Sequence, residues 1–169
     1  LGRLAAAPYV WWLLWTRDYR SALVWMLLVG ATDGLDGFLA RRWGAASRLG
    51  ALLDPVADKL LLSGAILTLA LTGLTPAWLA WLVLGRDAAI LGFAAGALLL
   101  TRTRRHFPPT AAGKLSTAFQ ILYVLAVTAG AGALAPASVA VGLQWGVLLV
   151  TGWSAVDYAQ RALSTRDPA

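Results

Sequence analysis

Four aspartates carry the chemistry that this sequence offers. Asp33, Asp36, Asp54 and Asp58 lie within or at the ends of apolar runs, where a carboxylate costs at least about 2.5 kcal/mol on insertion scales and neighbouring carboxylates repel one another. They persist there only where cations or a water-filled cavity meet them. On helices, Asp33, Asp36 and Gly37 stand at i, i+3 and i+4, and Gly50, Asp54 and Asp58 step by four along one face. A short basic stretch links the two segments, so the acidic faces are expected to oppose each other near one membrane surface. The donor set is all oxygen, with no His or Cys nearby, and it suits a hard cation such as Mg2+ or Mn2+ rather than zinc. Four carboxylates could hold two such ions, and paired metals about 4 Å apart recur at sites of displacement on phosphorus. Gly37, Ala40 and Gly50 let a helix backbone or a flat substrate group come close. Arg41 adds a planar guanidinium suited to phosphate. The constellation asks for a phosphorylated substrate.

Membrane helices must position these groups. Of 169 residues, 59% are hydrophobic and 13% charged, with nine Trp, no Cys and no Glu, and the mean hydropathy is +0.69. A soluble domain of this size needs more charged surface. A span of the roughly 30 Å hydrocarbon core takes about 20 apolar residues, and the sequence divides into runs at about 1 to 16, 22 to 41, 50 to 72, 76 to 100, 114 to 134 and 138 to 160. Backbone polar groups must be satisfied in lipid, so all six are read as helices. Runs such as Gly96-Ala97-Leu98-Leu99-Leu100 lack the alternation of a β-barrel. The expected fold is an all-α six-transmembrane-helix bundle with a cytosol-facing polar cavity, one domain over residues 1–169. The first run is short and does not begin with Met, so the chain is expected to start inside its first helix.

Lys and Arg orient the bundle. Arg3, Arg41, Arg42, Arg48, Arg102, Arg104, Arg105, Lys114, Arg161 and Arg166 fall on one side, against Arg17 and Arg20 on the other. The bias places both termini and the basic loops in the cytoplasm, as in a bacterial inner membrane protein. The net charge of +6 then reflects topology and attraction to anionic headgroups or substrates, without nucleic acid. Absence of Cys removes disulfides and thiol nucleophiles.

The run Asp33-Gly34-Leu35-Asp36-Gly37-Phe38-Leu39-Ala40-Arg41, eight intervening residues, then Gly50-Ala51-Leu52-Leu53-Asp54-Pro55-Val56-Ala57-Asp58 reproduces D-x-x-D-G-x-x-A-R-(x)8-G-x-x-x-D-x-x-x-D. That resembles the CDP-alcohol phosphotransferase family of membrane-embedded phospholipid synthases. The resemblance implies that Asp33, Asp36 and Asp54 are metal ligands, and that Asp58 joins the metal site and acts as general base on the acceptor hydroxyl. It also implies that Asp33, Gly37, Ala40 and Gly50 shape the nucleotide pocket while Arg41 contacts the diphosphate. A homodimer and release of CMP from a CDP-alcohol are implied as well. Asp54-Pro55-Val56-Ala57-Asp58-Lys59 and Gly113-Lys114-Leu115-Ser116-Thr117-Ala118-Phe119-Gln120 resemble the branches that use CDP-diacylglycerol with glycerol 3-phosphate or phosphatidylglycerol.

Arg86, Lys114, Thr117 and Arg105 are candidates to receive the acceptor, with Lys114, Thr117 and Gln120 stepping by three along one helix face. Arg86 and Asp87 fit equally a salt bridge within the bundle. Lys59 is expected to snorkel or to pair with a motif carboxylate. His106 reads as an interfacial residue, and Asp157 with Arg161 as an ordinary i, i+4 ion pair. Trp11, Trp12, Trp15, Trp25, Trp78 and Trp81 read as interfacial anchors and lipid-facing bulk. A cation transporter is the competing class, but the acids gather at one face and no repeat is present.

Overall fold

The structure is a computed structural model that describes the backbone of residues 2–43, 48–101 and 110–164, and the side chains of residues 3–35, 59–92, 110–158 and 160. Six α-helices lie among the described residues: α1 Gly2–Trp15, α2 Tyr19–Trp43, α3 Arg48–Leu71, α4 Ala77–Thr101, α5 Ala111–Ala131 and α6 Ala137–Ser164. Their order matches the six apolar runs, with ends displaced by a few residues.

The chain forms three antiparallel hairpins, and their turns share one design. After α1, the amide of Arg17 donates to the Leu14 carbonyl and that of Asp18 to Leu13. After α3, Gly73 donates to Ala70 and Leu74 to Leu69, and after α5, Ala133 donates to Gly130 and Leu134 to Ala129. This paired bonding satisfies the last carbonyls of each helix and requires a left-handed residue at the turn. The three residues in that region are Arg17 at φ 63°, Gly73 at φ 80° and Ala133 at φ 57°. Glycine meets the requirement without steric cost, whereas Arg17 and Ala133 each bear about 1 kcal/mol. The following helix then starts on a cap. The Asp18 carboxylate accepts from the Ser21 amide at 3.3 Å, and Pro76 and Pro136 precede α4 and α6, where a missing N–H costs nothing. Arg20 Nε donates to the Gly132 carbonyl at 3.2 Å, tying the first turn to the third.

Tight apolar packing fills the half of the bundle nearest these turns. Val10, Leu13, Leu14, Ala65, Ile66, Leu69, Leu79, Val83, Tyr123, Val124 and Val127 form one buried cluster. Two glycines let rings into the helix seams. A Cβ on Gly64 would lie 2.2 Å from the Trp11 ring, and one on Gly146 would lie 2.5 Å from Phe119. Trp11 Nε1 donates to the Leu61 carbonyl at 3.2 Å. Trp11 therefore departs from the lipid-facing role expected of it: a Gly64 notch and a hydrogen bond to the Leu61 carbonyl draw it inward. Trp12, Trp15, Trp25, Trp78 and Trp81 are exposed, as expected.

The outer surface is apolar, with Trp81 73% and Leu149 71% exposed, as in a helix bundle whose surroundings are lipid. Ala111–Ala131 and Ala137–Tyr158 are long and apolar enough to cross a membrane among the described residues. Replacing Gly64 by Ala should displace Trp11 and cost about 1 to 3 kcal/mol. Gly142→Ala, with nothing within 4 Å of the new methyl, should be neutral or slightly stabilising; thermal unfolding of both variants in detergent checks the contrast.

Candidate active site

Both halves of the aspartate motif lie on helices. α2 runs unbroken through Asp33, Asp36, Gly37, Ala40 and Arg41, and α3 carries Gly50, Asp54 and Asp58. The helical spacing expected of the carboxylates is thus present on both backbones: Asp33 and Asp36 share one face of α2, and Asp54 and Asp58 share one face of α3. The side chains of Asp36, Gly37, Ala40, Arg41, Gly50, Asp54 and Asp58 lie outside the described residues, as do Arg105 and His106 entirely.

Asp33 is described, and its carboxylate pairs with Arg3 of α1. Both side chains are partly exposed, at 23% for Arg3 and 34% for Asp33. Sequence reasoning assigned Arg3 no role beyond orientation; its position in a separate run, thirty residues before Asp33, hid the contact. Arg3 also lines a cavity of about 580 Å³ between α2, α3 and α5. The cavity walls are Met26, Leu27, Val29, Gly30 and Ala31 of α2, Leu61 and Leu62 of α3, and Thr117, Ile121, Val124 and Leu125 of α5. On α2 it starts two residues from Asp33, and on α3 three residues from Asp58. An apolar cavity with a few polar groups at one end is the usual form of a ligand site.

A second ionic cluster joins α3, α4 and α6. Asp87 Oδ1 accepts from Lys59 Nζ at 2.8 Å and from Arg86 Nη1 at 2.6 Å. Arg86 Nη2 donates to the Ser154 hydroxyl at 2.5 Å, and the guanidinium lies 5.7 Å from the centre of the Tyr158 ring. Arg86 and Asp87 are 5% and 8% exposed by side chain. Lys59 pairs with this acid on α4, with its own chain order explaining the choice: at one position beyond Asp58 it points about 100° round the helix from the motif face.

The start of α5 packs on the same cluster. Thr110 caps the helix by accepting from the Gly113 amide at 3.0 Å. A Cβ on Gly113 would meet Arg86 Nη2, Thr110 Oγ1 and the Tyr158 hydroxyl, each at 3.3 Å. The three residues expected to share a face then separate. Lys114 is exposed and Thr117 lines the cavity. Gln120 is buried and donates to Ser116 Oγ at 3.1 Å, which in turn shares a hydrogen bond with Thr151 of α6. A step of three falls short of the 3.6-residue turn, so the face drifts by about 60° per step.

Fold and motif define an all-helical protein that has helices apolar and long enough to cross a membrane and carries the aspartate motif on α2 and α3. The chain belongs to the CDP-alcohol phosphatidyltransferase family of enzymes, whose model matches residues 1–153. It is 33% identical to the cardiolipin synthase (CMP-forming) of Streptomyces coelicolor over 94% of this chain and 77% of that one. It is 37% identical to a probable phosphatidylglycerophosphate synthase of Mycobacterium tuberculosis, covering 83% of this chain and 66% of that one. A probable cardiolipin synthase (CMP-forming) of Drosophila melanogaster is 39% identical over 54% of this chain, which spans only 29% of the fly protein's length.

Asp87→Asn removes the shared countercharge of Lys59 and Arg86 while leaving both cations in place. A loss of about 3 kcal/mol in stability is expected for breaking a buried pair in this way. Thermal unfolding of the variant beside Lys59→Met, which removes only one arm and should cost less, measures it.

Proposed function

We propose that this chain transfers a phosphatidyl group from CDP-diacylglycerol to a glycerol-based acceptor, glycerol 3-phosphate or phosphatidylglycerol, and releases CMP. The observation that carries this reading is the apolar cavity between the two motif helices and α5, with Arg3 and Asp33 together at one end. A lipid-linked phosphate has that form: an acyl chain fits the apolar walls, and its anionic head meets the charged end. Relatives bearing both names stand at similar identity, so both acceptors are retained.

In this reading Asp33, Asp36, Asp54 and Asp58 hold Mg2+ or Mn2+, two ions fitting four carboxylates. An all-oxygen donor set suits such ions. Bound metal supplies charge neutralisation on the diphosphate and on departing CMP. Gly37, Ala40 and Gly50 admit the nucleotide, and Arg41 donates to its phosphates. Asp58 takes the proton of the acceptor hydroxyl as that oxygen bonds to the lipid-linked phosphorus; the bond from phosphorus to the CMP oxygen breaks, and CMP leaves with its electron pair. Arg86, Lys114, Thr117 and Arg105 are the candidates for the acceptor. Arg86 Nε is buried with no hydrogen-bond partner among the described residues, while Lys114 offers an exposed ammonium nearby in the chain fold.

The same reading has all six helices spanning the membrane, one domain over 1–169, both basic segments facing the cytoplasm, and two copies associating as a dimer. CMP release by the lipid-reconstituted chain, supplied with CDP-diacylglycerol and Mg2+ or Mn2+ and with each acceptor separately, tests the function. Release with glycerol 3-phosphate alone assigns phosphatidylglycerophosphate synthesis, and release with phosphatidylglycerol alone assigns cardiolipin synthesis; release with neither overturns the proposal. Asp58→Asn should lower the rate at least about 100-fold with the protein still folded, and chelation of the metal should abolish release.

A further inference from the structure

We infer that Arg3 is a substrate-binding residue that changes partners during the cycle: it pairs with Asp33 when no metal is bound, and turns to the phosphate of the lipid substrate when metal takes Asp33. This rests on the reading that Asp33 is a metal ligand and that a lipid-linked phosphate enters the cavity.

Three observations carry it. Arg3 already touches the one motif carboxylate whose side chain is described. Among the described residues it is the single charged one lining the cavity, where its neighbours include Gly30, Leu61 and Thr117. Its side chain and that of Asp33 are each partly exposed, so the pair is open to exchange rather than sealed like Arg86 and Asp87. A divalent ion at Asp33 repels the guanidinium and takes its acceptor. The nearest use for a cation at the end of an apolar cavity is an anionic headgroup whose chain fills that cavity, and a guanidinium binds phosphate through two parallel N–H donors.

Linkage makes the exchange measurable without turnover. If Arg3 and metal compete for Asp33, Arg3 weakens metal binding in the free protein, and a lipid phosphate that draws Arg3 away strengthens it by the same factor. Mn2+ binding is followed by the electron paramagnetic resonance signal of free Mn2+. The full chain is held in phosphatidylcholine nanodiscs, with and without CDP-diacylglycerol. Arg3→Gln should bind Mn2+ about three- to fivefold more tightly than the unaltered chain in the absence of CDP-diacylglycerol, the range set by a partly exposed ion pair. The tightening caused by CDP-diacylglycerol should be smaller in Arg3→Gln than in the unaltered chain. Arg3→Met, which keeps the apolar stem, should behave as Arg3→Gln, and Arg3→Lys, which keeps the charge, should stay within about twofold of the unaltered chain. Equal or weaker Mn2+ binding in both neutral variants overturns the exchange while leaving the proposed function standing. An unaltered chain that binds no Mn2+ overturns the metal site and this inference together.

Discussion

Charge inside an apolar bundle has to be met by opposite charge, and the described half of this site obeys that constraint at every acid. Asp33 is met by Arg3 and Asp87 by Lys59 and Arg86. The two arrangements differ in burial, and the difference separates their roles. Asp87 is 8% exposed and shares its cations among α3, α4 and α6, so it holds three helices in fixed register. Asp33 is more open and, among the described residues, is bonded to one cation beside a cavity, which leaves its carboxylate available for exchange. One bundle thus contains a fixed ion cluster and a replaceable one.

That division runs along the whole molecule. Near the three capped turns, aliphatic side chains and rings seated on Gly64 and Gly146 fill the interior, and dispersion and hydrogen bonding hold the helices at close range. Toward the motif, the described side chains line the cavity, form the ion pairs and cap the start of α5. The tightly packed end anchors the helices against one another. α1 connects the two regimes, since Trp11 grips α3 at Leu61 while Arg3 reaches α2 at Asp33.

Much of this was legible in the sequence because two signals are strong. Apolar runs of membrane length mark six helices, and the fixed spacing of Asp33, Asp36, Asp54 and Asp58 sets the aspartate motif on two of them. What escaped were contacts that depend on how helices rotate against each other. Nothing in the run around Arg3 points to Asp33, and Trp11 is indistinguishable by type from Trp12, although one enters a glycine notch and the other faces outward. Lys59 was expected to snorkel or to pair with a motif carboxylate, and it pairs with Asp87, one position of rotation away from the motif face of α3. Lys114, Thr117 and Gln120 share a face only over a short stretch, so they end on solvent, cavity and helix seam respectively.

The order of these ion pairs along the chain bears on how such a protein enters a membrane. Chains are made and inserted from the N-terminal end, so α1 is in place before α2 delivers Asp33, and α3 before α4 delivers Asp87. In each pair described the cation, Arg3 or Lys59, precedes the acid it neutralises. Asp33 and Asp87 therefore find a counterion already lodged in the membrane and need never wait unpaired for a later helix.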